Sequence, residues 1–95
     1  MTVQEYEELE RGDIVYYARI MPQLGYYEVH TLVIITHLTE YCTGTESESK
    51  QTFIFNPKNA CMYLFKERDE AVNALKEFKT KYKDVRIICD RKDDN

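Results

Sequence analysis

Alternating apolar and polar residues in the first half of the chain predict β-strands. A turn at residues 21–25, which contains Pro22 and Gly25, joins a first run at residues 13–20 to a second at residues 26–41 as an antiparallel hairpin. A straight strand through the second run would span roughly 50 Å, so we expect this run to bend, bulge or break. In the first run we expect the even positions to point inward, namely Ile14, Tyr16, Ala18 and Ile20.

The middle of the chain predicts a loop and two shorter strands. Residues 43–50 are small, polar and acidic, which is typical of a mobile turn. A third strand follows at residues 51–55, with Phe53 and Phe55 on its inner face. Asn-Pro at residues 56–57 favours a turn that ends this strand, and residues 61–65 then form a short fourth strand.

Helical spacing appears near both ends of the chain. Residues 2–10 form either one or two helical turns or a frayed lead-in. Residues 69–82 predict an amphipathic helix, with acidic residues in its first turn and lysines in its last, as the helix dipole favours. After this helix we expect a closing strand at residues 85–89 and a solvated tail at residues 90–95. The apolar positions that define the helix are Ala71, Leu75, Phe78 and Tyr82.

These elements together predict a single α+β domain. The architecture is a small bent antiparallel β-sheet or an SH3-like barrel, with one C-terminal helix across a side and a short closing strand. A length of 95 residues suits one domain with a modest core. No apolar run approaches the ~20 residues of a membrane helix, and residues 1–5 lack the pattern of a secretory signal. We therefore expect a cytoplasmic protein without membrane contact.

Charge is distributed unevenly along the chain. Residues 1–48 hold two basic and nine acidic residues, whereas residues 49–95 hold eleven basic and eight acidic ones. An acidic first half disfavours a whole-surface interface with nucleic acid, because the phosphates would be repelled. A local basic line on the helix leaves a smaller nucleic-acid surface as an alternative: Lys76, Lys79 and Lys83.

Motifs for catalysis and for cofactor or metal binding are missing. The glycines form no phosphate-binding loop, and we expect no cofactor. The three cysteines and two histidines form no short ligand pair of the kind that preorganises a metal site. His30 and His37 would also point to opposite faces if strand alternation were uninterrupted. A non-enzymatic role is therefore expected, with a small enzyme that carries no recognisable motif as an alternative.

The outer face of the hairpin is the candidate binding surface. Parity places Tyr17 and Tyr26 on this face, whereas Tyr16 and Tyr27 follow the apolar faces and serve the core. Tyrosine and arginine dominate binding hot spots, although ordinary cross-strand packing or base stacking would also suit such a face. The candidate partner-binding residues are Tyr17, Arg19, Tyr26, Glu28, His30, Glu46 and Glu48.

The sequence Gly-Asp-Ile-Val-Tyr-Tyr-Ala-Arg-Ile at residues 12–20, followed by Tyr-Glu-Val at 27–29, resembles small uncharacterised proteins of phages and prophages of Gram-positive bacteria. The likeness covers most of residues 12–78, but the acidic loop is longer here and the closing strand is an addition. The resemblance implies no established activity; it implies a small accessory protein of a mobile element. Its later part includes residues 53–55 and 64–65 with Arg68, Glu70 and Ala71.

These observations lead to one preferred hypothesis. We expect a protein-binding module whose partner is a host or phage protein, such as a phage inhibitor of a host defence system or host enzyme. An acidic surface can compete for the groove in which a partner binds nucleic acid. Self-association and nucleic-acid binding by a small barrel are the alternatives.

Overall fold

The computed structural model describes residues 1–81, which form an open antiparallel sheet with three α-helices. The strand order is β4-β3-β2-β1-β5, so within these residues β4 and β5 are the two edges. The predicted α+β class and the bent sheet are confirmed, while the described residues do not close into a barrel. The predicted closing strand at 85–89 and the tail at 90–95 lie outside the described residues. The elements are α1 Val3–Glu7, β1 Ile14–Met21, β2 Tyr26–His37, β3 Cys42–Glu46, β4 Thr52–Phe55, α2 Pro57–Tyr63, β5 Leu64–Phe65 and α3 Arg68–Lys81.

The predicted hairpin is formed by β1 and β2. Their register runs from Ile14 opposite Val33 to Met21 opposite Tyr26. The turn is a short 3₁₀ helix, Pro22–Leu24, which ends at Gly25 with φ of 66°, a left-handed conformation that glycine adopts without steric cost. The connection therefore holds the two strands in a single register up to the turn.

The second apolar run breaks and bulges as expected. A bulge between Ile34 and Thr36 inserts one extra residue into β2, and the strand ends at His37. The predicted mobile turn at residues 43–50 is wrong in its first half, because β3 occupies Cys42–Glu46. Since β3 lies between β2 and β4, both of its edges are hydrogen-bonded, and tertiary pairing outweighs its small, polar composition.

The predicted fourth strand at residues 61–65 is largely a helix. The Asn56 side chain caps α2 by accepting a hydrogen bond of 2.8 Å from the backbone nitrogen of Asn59. Pro57 occupies the start of the helix, where its missing N–H costs nothing. Asn-Pro thus begins a helix here, and only Leu64–Phe65 remains as the strand β5.

The two other helices agree with the predictions. Thr2 and Glu5 form a reciprocal capping box at the start of α1, which resolves the alternative at residues 2–10 in favour of a helical turn. The helix α3 begins one residue earlier than predicted and continues to the last described residue, Lys81. None of the helices within residues 1–81 is long and apolar enough to cross a membrane.

The main core lies on the odd face of β1, so the expectation that its even face points inward is wrong. Val15 is fully buried, whereas Ile14 is 54% exposed. The even face is covered by α3 instead, and Ala18 and Ala71 are fully buried between sheet and helix. We call the two sides the core face and the helix face. The core comprises Tyr6, Leu9, Val15, Leu32, Ile34, Cys42, Phe55, Ala60 and Leu64.

Candidate functional site

The core face becomes polar toward the β1–β2 turn, and the predicted binding residues meet there. Tyr17 lies opposite His30 and Arg19 lies opposite Glu28 in the hairpin register. Residues directly opposite in an antiparallel pair point to the same face. The expected proximity of these side chains is therefore confirmed.

His30 is the buried centre of this region, with 7% of its surface exposed. Its Nδ1 lies 2.6 Å from Oε2 of Glu46, and its Nε2 lies 3.4 Å from the Tyr26 hydroxyl and 3.5 Å from Glu28. Because an ionised carboxylate can only accept, Nδ1 is the nitrogen that carries a proton toward Glu46. The short hydrogen bond at Nδ1 offsets part of the cost of removing this ring from water.

Glu46 reaches His30 from the end of β3. Its other oxygen accepts a hydrogen bond of 2.6 Å from Ser49. The hydrogen bonds from Ser49 and then from His30 lower the pKa of the Glu46 carboxyl. The predicted loop position of Glu46 is wrong: it is the last residue of β3, and the strand directs its side chain toward His30.

Tyr17 belongs partly to the core, which corrects its assignment to an outer face. Its ring makes edge contacts with Phe53 and Phe55 at centroid distances of 5.1 and 4.8 Å. Burial of this ring raises the pKa of the Tyr17 hydroxyl. Parity correctly placed Tyr17 and Tyr26 on the same face, but that face also carries the core.

Arg19 lies between two aromatic rings. Its guanidinium carbon is 5.0 Å from the ring centroid of Tyr26 and 5.2 Å from that of Phe53. Phe53 was not among the predicted site residues, although the inner face of the third strand was predicted to carry it. The missing signal was the strand order, which brings β4 within reach of Arg19 across β3 and β2.

Tyr26 and Glu28 complete the site at its exposed margin. The Tyr26 hydroxyl donates a hydrogen bond of 2.6 Å to Glu28, and this bond raises the pKa of Tyr26. The Glu28 side chain is 54% exposed. We call this set the Arg19 cluster; it comprises Tyr17, Arg19, Tyr26, Glu28, His30, Glu46 and Phe53.

Glu48 is the one predicted site residue that does not join the cluster. It is exposed and lines a cavity of about 330 Å³ together with Val29, Thr31 and Glu46. Val29 lies opposite Ala18 in the register, so part of this lining belongs to the helix face. Glu46 therefore borders both the cavity and the Arg19 cluster, whereas Glu48 borders the cavity.

The second histidine is separate from the cluster but not on the opposite face. The bulge after Ile34 adds one residue, so His37 pairs with Cys42 and returns to the core face. There its ring contacts Tyr6 edge-on at 4.8 Å and lines a cavity of about 560 Å³ beside Leu38. The expectation of opposite faces is wrong because alternation is interrupted at the bulge.

The arrangement bears on catalysis and on metal binding. A glutamate, a histidine and a tyrosine hydroxyl in sequence could relay a proton, but none of the cavities described here contains His30 in its lining. Residues 1–81 also contain no group of three acidic, histidine or cysteine side chains placed to hold a metal ion. The side chains of the Arg19 cluster are bonded mainly to one another.

The basic line on α3 lies away from the cluster. Lys79 places its ammonium 6.0 Å from the ring centroid of Tyr27, which is on the helix face. Lys76 is exposed, and Lys83 falls outside the described residues. The Arg19 cluster and the described part of the basic line are thus two distinct surfaces on opposite sides of the sheet.

No protein-family model, curated protein or solved structure matches this chain. The resemblance of residues 12–20 to phage proteins stays a prediction, because no match tests it. Functional assignment therefore depends on the geometry and charge of the Arg19 cluster.

Proposed function

We propose that this protein is a non-enzymatic module that binds a partner protein through the Arg19 cluster. The observation that carries the proposal is the convergence of the predicted residues, Glu48 excepted, into one connected set at an end of the core face. Arg19 and Tyr26 are half-buried and Glu28 is exposed, so a partner can reach them. Arginine and tyrosine are the residues most enriched among binding hot spots.

The cluster is held in place before any partner arrives. His30 is fixed from both sides, and Tyr17 is anchored on the core through Phe55. A prearranged surface loses less conformational entropy on association than one that must be ordered. This rigidity favours recognition of a specific partner.

The biological setting of the proposal comes from the phage-like sequence pattern. In this setting the chain is a small cytoplasmic protein of a mobile element, and it inhibits a host defence system or a host enzyme. Cys42 and Cys61, which are free thiols, suit a reducing compartment.

Affinity capture from a lysate of a Gram-positive host tests the proposal. We expect the wild-type chain to retain a stoichiometric partner, and Arg19→Ala or Tyr26→Ala to reduce its retention by about tenfold or more. Arg68→Ala and Tyr41→Ala are the matched controls, because both residues are exposed and lie outside the cluster. Circular dichroism must show that every variant is folded.

Equal capture by the wild type and the two cluster variants would remove the site assignment. Tyr17→Ala is unsuitable for this test, because its ring contacts the core. Analytical ultracentrifugation of the purified chain identifies the case in which the partner is a second copy.

Nucleic-acid binding by the helix face is the second candidate, and one observation favours it. The exposed Lys76 and the neighbouring Lys79 lie across the sheet from Glu28 and Glu46, so those acids do not flank the basic line. Gel shifts at increasing salt would show an affinity that falls steeply with ionic strength. Loss of the shift in Lys76→Glu with Lys79→Glu, but not in Arg19→Ala, would support this function over the first.

A further inference from the structure

We infer that the Arg19 cluster recognises an acidic side chain of its partner, with the Arg19 guanidinium as the group that binds the carboxylate. This inference rests on the proposed function and names the chemistry of the partner. The cluster contains one permanent cation, Arg19, and two carboxylates, Glu28 and Glu46. A charge that already has partners within the protein is less available to a binding partner than one that has none.

Both carboxylates have partners within the protein, Glu46 through both of its oxygens and Glu28 through Oε2. Glu46 interacts with His30 at 2.6 Å and accepts a second hydrogen bond of 2.6 Å from Ser49. Glu28 accepts from the Tyr26 hydroxyl at 2.6 Å and lies 3.5 Å from His30. A partner's cation would have to compete with these short, charge-assisted hydrogen bonds.

The Arg19 side chain is held mainly by the faces of two rings. Cation–π stacking uses the flat faces of the guanidinium and leaves its N–H groups, which lie in the plane, directed outward. No carboxylate of residues 1–81 forms an ion pair with Arg19 within 4.0 Å. The cation therefore retains N–H donors that no carboxylate of residues 1–81 occupies.

The register makes this lack of an acid unexpected. Glu28 is the direct cross-strand neighbour of Arg19, and opposite charges in such positions ordinarily pair. Instead, the Glu28 carboxylate is turned toward Tyr26 and His30 along its own strand. The carboxylate that Arg19 lacks would then come from the partner, in the bidentate geometry that guanidinium and carboxylate share.

A single carboxylate suits this site better than the phosphates of a nucleic acid. Polyanion binding depends on several cations that follow the backbone, whereas Arg19 is the single permanent cation of the cluster and lies opposite the acidic Glu28. An isolated acidic side chain beside an apolar residue would contact Arg19 and the exposed edges of Tyr26 and Phe53. The partner is therefore a protein segment that carries an aspartate or glutamate.

Selection from a displayed library of random heptapeptides tests this inference without a lysate. The full chain is immobilised as the wild type, as Arg19→Glu and as a matched control, Arg68→Glu, in which an exposed arginine outside the cluster is reversed. We expect the wild type and the control to enrich aspartate or glutamate at one peptide position. Arg19→Glu should lose this enrichment or favour lysine and arginine there.

Synthetic peptides from the selection then give the magnitude. Replacement of the enriched glutamate by glutamine should weaken binding to the wild type by about tenfold, as loss of a charge-assisted hydrogen-bonded pair implies, and should change binding to Arg19→Glu little. Arg19→Lys should recover only part of the affinity, because an ammonium cannot bind a carboxylate in the guanidinium's planar fork.

Three results would overturn the inference: no enriched peptide, enrichment of basic residues by the wild type, or retention of single-stranded DNA in an Arg19-dependent manner. The last would indicate phosphate recognition. Capture of a host protein through Arg19 and Tyr26, combined with peptide selection that is indifferent to acidic residues, would leave the proposed function intact and refute this inference alone. Acidic enrichment without a captured host protein would support the recognition of a carboxylate by Arg19 and would count against the proposed host partner.

Discussion

Gly44→Ala is the substitution whose consequence follows most directly from the structure. Gly44 lies on the core face of β3, where a Cβ atom would be 3.1 Å from Cβ and 3.2 Å from Cδ1 of Leu32. Leu32 is fully buried, so it has little room to withdraw. A change of the Leu32 rotamer would relieve the Cδ1 contact but not the Cβ contact, so β2 and β3 must separate by a few tenths of an ångström. Crowding of this kind typically costs ~1–3 kcal/mol.

A second substitution shows whether the cost is crowding. Leu32→Ala alone creates a cavity and should cost about 2–5 kcal/mol. Combined with Gly44→Ala, it removes the Cδ1 contact while the Cβ contact remains. The double variant should therefore lose at least about 0.5 kcal/mol less than the sum of the two single losses.

Urea unfolding measures these free energies from the midpoint and the slope of each transition. Gly12→Ala is the control, because Gly12 has φ of 97° but nothing within 4 Å of an added Cβ. Its cost comes from backbone strain, so Leu32→Ala should not relieve it. Strict additivity of Gly44→Ala with Leu32→Ala, or an unfolding free energy of Gly44→Ala within about 0.5 kcal/mol of the wild type, would refute the reasoning.

Three further predictions concern a thiol, a carboxyl and a helix cap. Burial raises the pKa of the Cys42 thiol to about 11, so at pH 8 iodoacetamide should label the partly exposed Cys61 much faster, as peptide mapping would show; equal rates would contradict this. Because the pKa of Glu46 is lowered on folding, its stabilising contribution is present above pH 4.5, its ordinary pKa, and is lost as pH falls through the folded-state pKa. In an NMR titration Ser49→Ala should raise that pKa, and an unchanged value would contradict the assigned cause. Asn56→Ala should lower the unfolding free energy by about 1 kcal/mol through loss of the α2 cap, whereas Asn56→Ser should retain most of it; equal losses would argue against capping.

The hairpin and α3 could be predicted because their signals are local. Pro22 and Gly25 mark the turn, and the spacing of Ala71, Leu75 and Phe78 has the period of a helix. The turn determines how β1 pairs with β2, and this pairing alone brings most residues of the Arg19 cluster together. Local pattern was sufficient where one element or one tight connection decided the geometry.

Prediction failed where the answer depended on distant elements. Alternation in β1 could not show that both of its faces are covered. The even face was therefore predicted to carry the core, although it is the odd residues Val15 and Tyr17 that point into the core. The residues of β3 were predicted to form a loop, because this strand is stabilised by its neighbours β2 and β4 and not by a pattern in its own sequence. Asn56 and Pro57 fit both a turn and a helix start, and the packing of α2 against the sheet decides between them. Phe53 joins the site only through the strand order.

The bulge after Ile34 determines which changes of length this chain tolerates. Ile35 is the extra residue, so its deletion would restore strict alternation in β2 and leave His37 opposite Cys42 and beside Tyr6. Everything before the bulge, including His30, would also keep its orientation. Shortening the chain by one residue at this position is therefore compatible with both ends of the sheet, and natural variants that lack one residue here would be expected to preserve the contacts of α1 as well as the Arg19 cluster.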